Sequence, residues 1–289
     1  MMMYLLLLLS LAGAIMKNIL PKTSGKAFAQ IGNLMTVNII AGILGMLLFA
    51  AGGLQISFLF DPQLLGMGIL YGILTVAMQS FYMMAVEKGS VSVCSLIYAS
   101  SFMIPTIFSV IVYGENCTFL KGLGIMCMLI SLILVSMKDA RIAGAQRQSL
   151  IYAAVSMLCA GGVGILQKIF AHIYQGRGRS EYLFIAFSCM LVMASLVKII
   201  NGKKSNTYIE NKNKFLMAAM GIAVCVVLVN KLNIILIASL PGLLFFPVYN
   251  AGTVMGSAVG SKIVFHENPS KIQWCGILLG TVSIVLIVL

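Results

Sequence analysis

The sequence predicts an all-α integral membrane protein with ten transmembrane helices, built as two inverted five-helix repeats. Three observations lead there. The first is composition: of 289 residues, 61% are hydrophobic and only 9% are charged, and the mean hydropathy is +1.05. Soluble domains carry about 25% charged residues, so a water-soluble fold could not hide this much apolar side chain. The second is the length of the uncharged stretches: residues 27–60, 62–86, 89–114, 148–167 and 232–261 contain no Asp, Glu, Lys or Arg. A spanning helix needs about 20 mostly apolar residues. The third is an internal echo: "YGENCTFLKGLGIMCM" at 113–128 returns as "FHENPSKIQWCGILLG" at 265–280.

Glycine, proline and charge divide the chain into its elements. The opening stretch, "MMMYLLLLLSLAGAIMKNILPK", has no basic residue before its apolar run and Lys17 after it, which reads as a retained helix over 3–20 and not as a cleaved leader. Breaks at Pro21, Gly52-Gly53, Asp61-Pro62, Lys88-Gly89 and Gly114-Glu115 set off helices at 29–50, 63–86, 90–112 and 118–137. The basic Lys138–Arg147 loop follows. Helices at 149–171, 182–200, 214–239, 243–264 and 271–289 are then separated by Gly176–Gly178, the Gly202–Lys214 loop, Pro241-Gly242 and Pro269.

The echo sets the architecture. Glu115 and Glu267 are 152 positions apart, and at that offset Asn116 meets Asn268, Met103 meets Met255, Ser109 meets Ser261, Gly124 meets Gly276 and Ser131 meets Ser283. At an offset of 151, Gly13 meets Gly164 and Lys17 meets Lys168. Residues 1–137 are therefore one five-helix unit, 138–148 a basic linker loop, and 149–289 a second unit. Five is odd, so the second unit enters the membrane from the opposite side. Inverted repeats are a common build of secondary transporters, with the solute site between the halves near the midplane.

These residues resemble a known family. The stretch 82–136, with its Ala-Val-x-x-Gly-Ser-x-Ser step (Ala85 to Ser92), Pro105, Glu115 and Gly124, looks like the EamA-type repeat of the drug/metabolite transporter superfamily. The second copy keeps Glu267 and Gly276 but has Ser257 in place of Pro105 and "IASLPGLL" at the helix-joining step. The resemblance implies a ten-helix transporter whose fourth and ninth helices help to line a central cavity. It implies nothing about the solute, because the superfamily moves very different ones. The Glu-Asn motif itself reads as structural. Asn268 can cap the helix starting at Pro269, Asn116 the helix after it in the first copy, and each Glu suits a helix N-terminus.

Alternating helices place eleven basic residues of the loops on one face, from Lys22 to Lys271, against Lys121, Arg177 and Arg179 on the other. The richer face should be cytoplasmic, which puts both termini outside; the family resemblance implies termini inside. The net charge of +12 needs no nucleic acid, because the basic residues sit in short loops without interleaved aromatics. The expected partners are the lipid bilayer and a small-molecule solute, for an integral protein of the bacterial cell (inner) membrane, as monomer or homodimer.

Lys231 is the candidate with the clearest physical argument. It is the only charge between Lys214 and Lys262, and lies ten positions before Pro241. That is roughly 15 Å along a helix, near the middle of a core about 30 Å thick. Ionisable residues at that depth are costly and face a cavity or a partner; the competing reading is a lysine that snorkels from a helix ending early. Asn230 and Asn233 flank it, and its first-repeat counterpart is Gln79. Tyr98, Tyr249 and Asn250 occupy matching regions of the fourth and ninth helices and complete the candidate substrate-binding set. A lysine there suits an anionic or amino-acid-like solute, and makes a proton a candidate coupling ion. Lys17 and Lys168, near helix ends, read as snorkelling residues. Gly252, Gly256 and Gly260 form a small-residue stripe for close helix approach.

No Asp or Glu lies deep in an expected helix, which disfavours a carboxylate-based exchange of protons for cationic drugs. There is no Walker sequence or H-E-x-x-H, and neither His172 nor His266 stands in a catalytic or ligand spacing. No cofactor, metal site or catalytic residue is expected. The competing classes are a non-transporting membrane scaffold or receptor, and an integral-membrane enzyme.

Overall fold

Apolar runs bounded by glycine, proline and charge become helices, since a chain in lipid must satisfy its backbone polar groups internally. The computed structural model describes residues 2–136, 147–202, 211–265 and 270–288. Its helices are α1 (Met2–Ile19), α2 (Ile31–Ala51), α3 (Ile56–Leu59), α4 (Pro62–Lys88), α5 (Val91–Ala99), α6 (Met103–Tyr113), α7 (Phe119–Ser136), α8 (Arg147–Tyr174), α9 (Arg179–Gly202), α10 (Lys212–Ser239), α11 (Gly242–Phe265) and α12 (Lys271–Val288). Among the described residues there is no strand. Among the described residues nine helical spans are long and apolar enough to cross a membrane, one of them Val93–Tyr113 through α5 and α6, and Phe119–Val135 is a shorter apolar one. The fold is that of an all-helical, multi-span membrane protein.

The punctuation works as side-chain chemistry. Asp61 precedes Pro62 at the start of α4, and its Oδ1 accepts the Gln63 N–H at 3.0 Å. Asn211 does the same for Lys214 at the start of α10. The expected fourth helix is split: α5 and α6 meet at a 3-10 turn over Ser100–Phe102. Pro105, just beyond it, cannot donate to Ser101, so the regular ladder lacks a bond there. A further 3-10 segment spans Leu20–Ala29, and α3 fills part of the loop after Gly53.

Burial is inverted relative to a soluble protein. Leu5, Leu8, Leu47, Ile111, Ile199 and Leu278 are exposed on the outside, whereas Asn33, Asn38, Gln167, Lys168, Glu181 and Asn233 are buried. Inside, helices are held by packing and by bonds between them. Ser131 donates to the Gly276 carbonyl at 2.6 Å, Gln273 to that of Val135 at 3.0 Å and Ser156 to that of Met78 at 2.7 Å.

The strongest packing runs between the chain's first and second halves: α2 on α9, α7 on α12, α4 on α8 and α9, and α1 on α10 and α11. The Gly252, Gly256 and Gly260 stripe meets Leu11, Ile15 and Ile19 of α1, so it is a seam inside the bundle.

Candidate functional site

Helical geometry separates three neighbours on α10. Asn230 and Asn233, three residues apart, share a face, while Lys231 is turned about 100° from Asn230. Asn230 accepts a hydrogen bond from the Tyr71 hydroxyl of α4, and Gln167 of α8 donates to that hydroxyl at 3.4 Å. Asn233 accepts from Ser10 of α1 at 2.5 Å, and Tyr249 of α11 reaches both. These two clusters cross-link α1, α4, α8, α10 and α11 about 10–14 Å from the helix ends at 1.5 Å per residue.

Lys231 points elsewhere. It is exposed and lines a cavity of about 700 Å³ at the end of the bundle where α2 stops and α9 starts. The polar lining is Gln55, Arg177, Arg179, Ser180 and Glu181, with Phe49 and Phe58 among the apolar walls. The lysine lies eight residues before the last residue of α10, roughly 12 Å in from the helix end. Glu181 is 4% exposed, and its Oε1 accepts the Gln55 N–H at 2.7 Å. The loop entering α9 turns through Gln175, Gly176 and Gly178, all with positive φ. At Gly176 a Cβ would collide with the Arg179 guanidinium, so glycine there is needed for both the turn and the arginine.

The remaining candidates are dispersed. Gln79 accepts from the Asn38 amide of α2 at 2.6 Å, toward the opposite end of the bundle. Tyr98 packs on the Tyr82 ring with centroids 5.2 Å apart, and its hydroxyl donates to the Met78 sulfur at 3.8 Å. Asn250 donates to the Phe246 carbonyl of its own helix. Of the seven residues expected at a substrate site, Lys231 lines the large cavity; Asn230, Asn233 and Tyr249 belong to the bonded clusters behind it.

Glu115 is the clearest correction. It does not serve the helix that follows it. Thr118 accepts the Lys121 N–H at the start of α7, and Asn116 is exposed. The Glu115 carboxylate instead crosses to the other half, accepting the backbone N–H of Gly242 at 2.8 Å and of Leu243 at 2.7 Å at the first turn of α11. Lys168 of α8 completes it at 2.8 Å, with side chains only 11% and 15% exposed. Lys168 is therefore a buried ion-pair partner, and not a snorkelling residue. Burial alone would push the Glu115 carboxyl up. The bond from Lys168 and the two backbone N–H groups outweigh it and hold the carboxyl below its usual value. The second copy of the motif, Glu267 and Asn268, lies outside the described residues, as do most of the 138–148 linker and the 203–210 loop.

A bundle of apolar-faced helices with bonded polar clusters and a cationic cavity between helix ends defines a multi-span membrane protein with a solute-sized opening. Residues 2–137 match the model of the EamA-like transporter family. The match covers 136 of the 289 residues and supports an EamA-type transporter of the drug/metabolite transporter superfamily. A crystal structure of a protein 13% identical superposes with a TM-score of 0.78, over 98% of each chain, and shares the fold. Comparison with curated proteins gave no match.

Proposed function

We propose that this chain is a secondary transporter that moves a small polar metabolite, anionic or amino-acid-like, by alternating access between inverted repeats at 1–137 and 149–289. The packing supports the repeats, because its contacts recur after a shift of five spans. The pair α1 and α10 corresponds to α8 and α4. The pair α2 and α10 corresponds to α9 and α4, and α1 with α11 to α8 with α5 and α6. The pairs α2–α9 and α7–α12 correspond to themselves.

One observation carries the reading. Lys231 and Gln79 occupy the same repeat position, yet Lys231 opens into the cavity at one end of the bundle while Gln79 is bonded to Asn38 near the other. Equivalent positions in unequal surroundings are what a carrier with one open end and one closed end requires.

The test is flux through the purified full chain in liposomes, with organic acids, sugar phosphates and amino acids offered in turn. The expected outcome is saturable uptake of one class, lost in Lys231→Met and partly kept in Lys231→Arg. No flux above protein-free vesicles for any solute would overturn the proposal, and solute binding without flux would point to a receptor.

A further inference from the structure

We propose that the Lys231 cavity selects anions: its solute carries a carboxylate or phosphate and no ammonium group. This rests on the transporter reading and decides between the two solute types left open there. Three cations line the cavity, Lys231, Arg177 and Arg179, against a single carboxylate. That carboxylate, Glu181, is buried and already accepts the Gln55 N–H. An amino-acid-like solute would bring its ammonium among three positive groups, with no open carboxylate to receive it.

The cations themselves are unspent. Among the described residues none forms an ion pair with Lys231, Arg177 or Arg179, and the Arg179 Nε is buried without a hydrogen-bond partner. An arginine whose Nε–H lacks an acceptor is matched by a carboxylate or phosphate, which can take that N–H and a neighbouring one at once. The arrangement also has depth. Arg177 and Arg179 stand where α9 begins, and Lys231 sits roughly 12 Å inside the end of α10. Apolar walls such as Phe49 and Ile234 lower the local dielectric and focus the field of the three cations along that path. An anion is drawn in by the arginines and held by the lysine.

The experiment measures binding, so that it stands apart from flux. The full chain in uncharged detergent is heated with succinate, inorganic phosphate, alanine or choline at matched ionic strength, with and without phosphatidylglycerol. Succinate or phosphate should raise the unfolding midpoint in lipid-free detergent, and alanine and choline should not. Lys231→Met and Arg179→Gln should each raise the half-saturating anion concentration about tenfold or more, the worth of one hydrogen bond to a charged group. Lys231→Arg should stay within about threefold of the parent, since the positive charge remains. Gly176→Ala, which displaces the guanidinium without removing it, should resemble Arg179→Gln.

Stabilisation by alanine equal to that by succinate, anion binding that survives Lys231→Met, or no stabilisation by either anion would overturn the proposal. So would an effect confined to phosphatidylglycerol, which would make the cavity a lipid-headgroup site. Alanine flux in liposomes, unaffected by anions, would overturn anion selectivity while leaving the transporter reading intact.

Discussion

A carboxylate that crosses from one half of a bundle to the first turn of a helix in the other is held by backbone dipoles as well as by its counter-ion. Glu115 has both, in the Gly242 and Leu243 N–H groups and the Lys168 ammonium. Glu115→Gln leaves Lys168 buried without its partner and should destabilise the fold by about 3 kcal/mol. Lys168→Met should cost less, because the backbone groups still hold the carboxylate. The carboxyl is held below its usual value, so its contribution is present above that value and is lost as pH falls through the lower, folded one. The unfolding midpoint in detergent should therefore be insensitive to this group from pH 7 down to the usual carboxylate range of about 4.3, and fall below it. An unchanged midpoint in Glu115→Gln would remove the pair from any structural role. In the sequence Lys168 reads as a snorkelling lysine near a helix end, and its partner is not visible there, because Glu115 lies 53 positions away in a different loop. Lys231 was visible as an isolated charge in an apolar run. Arg177 and Arg179 were visible only as loop charges, since nothing in the local pattern says that α10 turns its lysine toward their loop.

At the scale of the helix, apolar length decides existence and side-chain direction decides use. Among the described residues nine of the ten expected runs are observed as spans and the tenth as the shorter α7, because hydropathy and breakers act locally. The split between α5 and α6 was less legible: Pro105 removes one donor, but the compensating 3-10 turn depends on what packs around it. The glycine stripe of α11 admits Leu11, Ile15 and Ile19 of α1. Gly256→Leu should push α1 away and cost about 1–3 kcal/mol by overpacking. A disulfide engineered between positions 18 and 257, where Asn18 donates to Ser257 at 3.2 Å, should form in the parent and be lost in Gly256→Leu. If that variant instead keeps the cross-link and its unfolding midpoint while changing oligomeric state, the stripe is a surface between copies.

At the scale of the molecule, the unequal distribution of basic residues becomes a statement about sidedness. Lys22, Lys88, Arg147, Lys212 and Lys271 lie at one end of the bundle, and Lys121, Arg177 and Arg179 at the other. The end richer in positive charge should face the cytoplasm, so the Lys231 cavity should open outside. In a cysteine-free background, a cysteine at Asn116 should react with an impermeant thiol reagent on intact cells, and one at Lys212 only after permeabilisation. The reverse pattern would place the termini inside and make the cavity cytoplasmic.

The longest helices outreach a bilayer. α4, α8 and α10 have 27 or 28 residues each. At 1.5 Å per residue that is roughly 41 Å, against a hydrocarbon core of about 30 Å. α4 and α8 are packed together and turn Leu70, Ile73, Leu158 and Ile173 outward. Helices of that length must tilt or protrude, or thicken the lipid beside them. Longer acyl chains are therefore matched to the α4–α8 side of the protein.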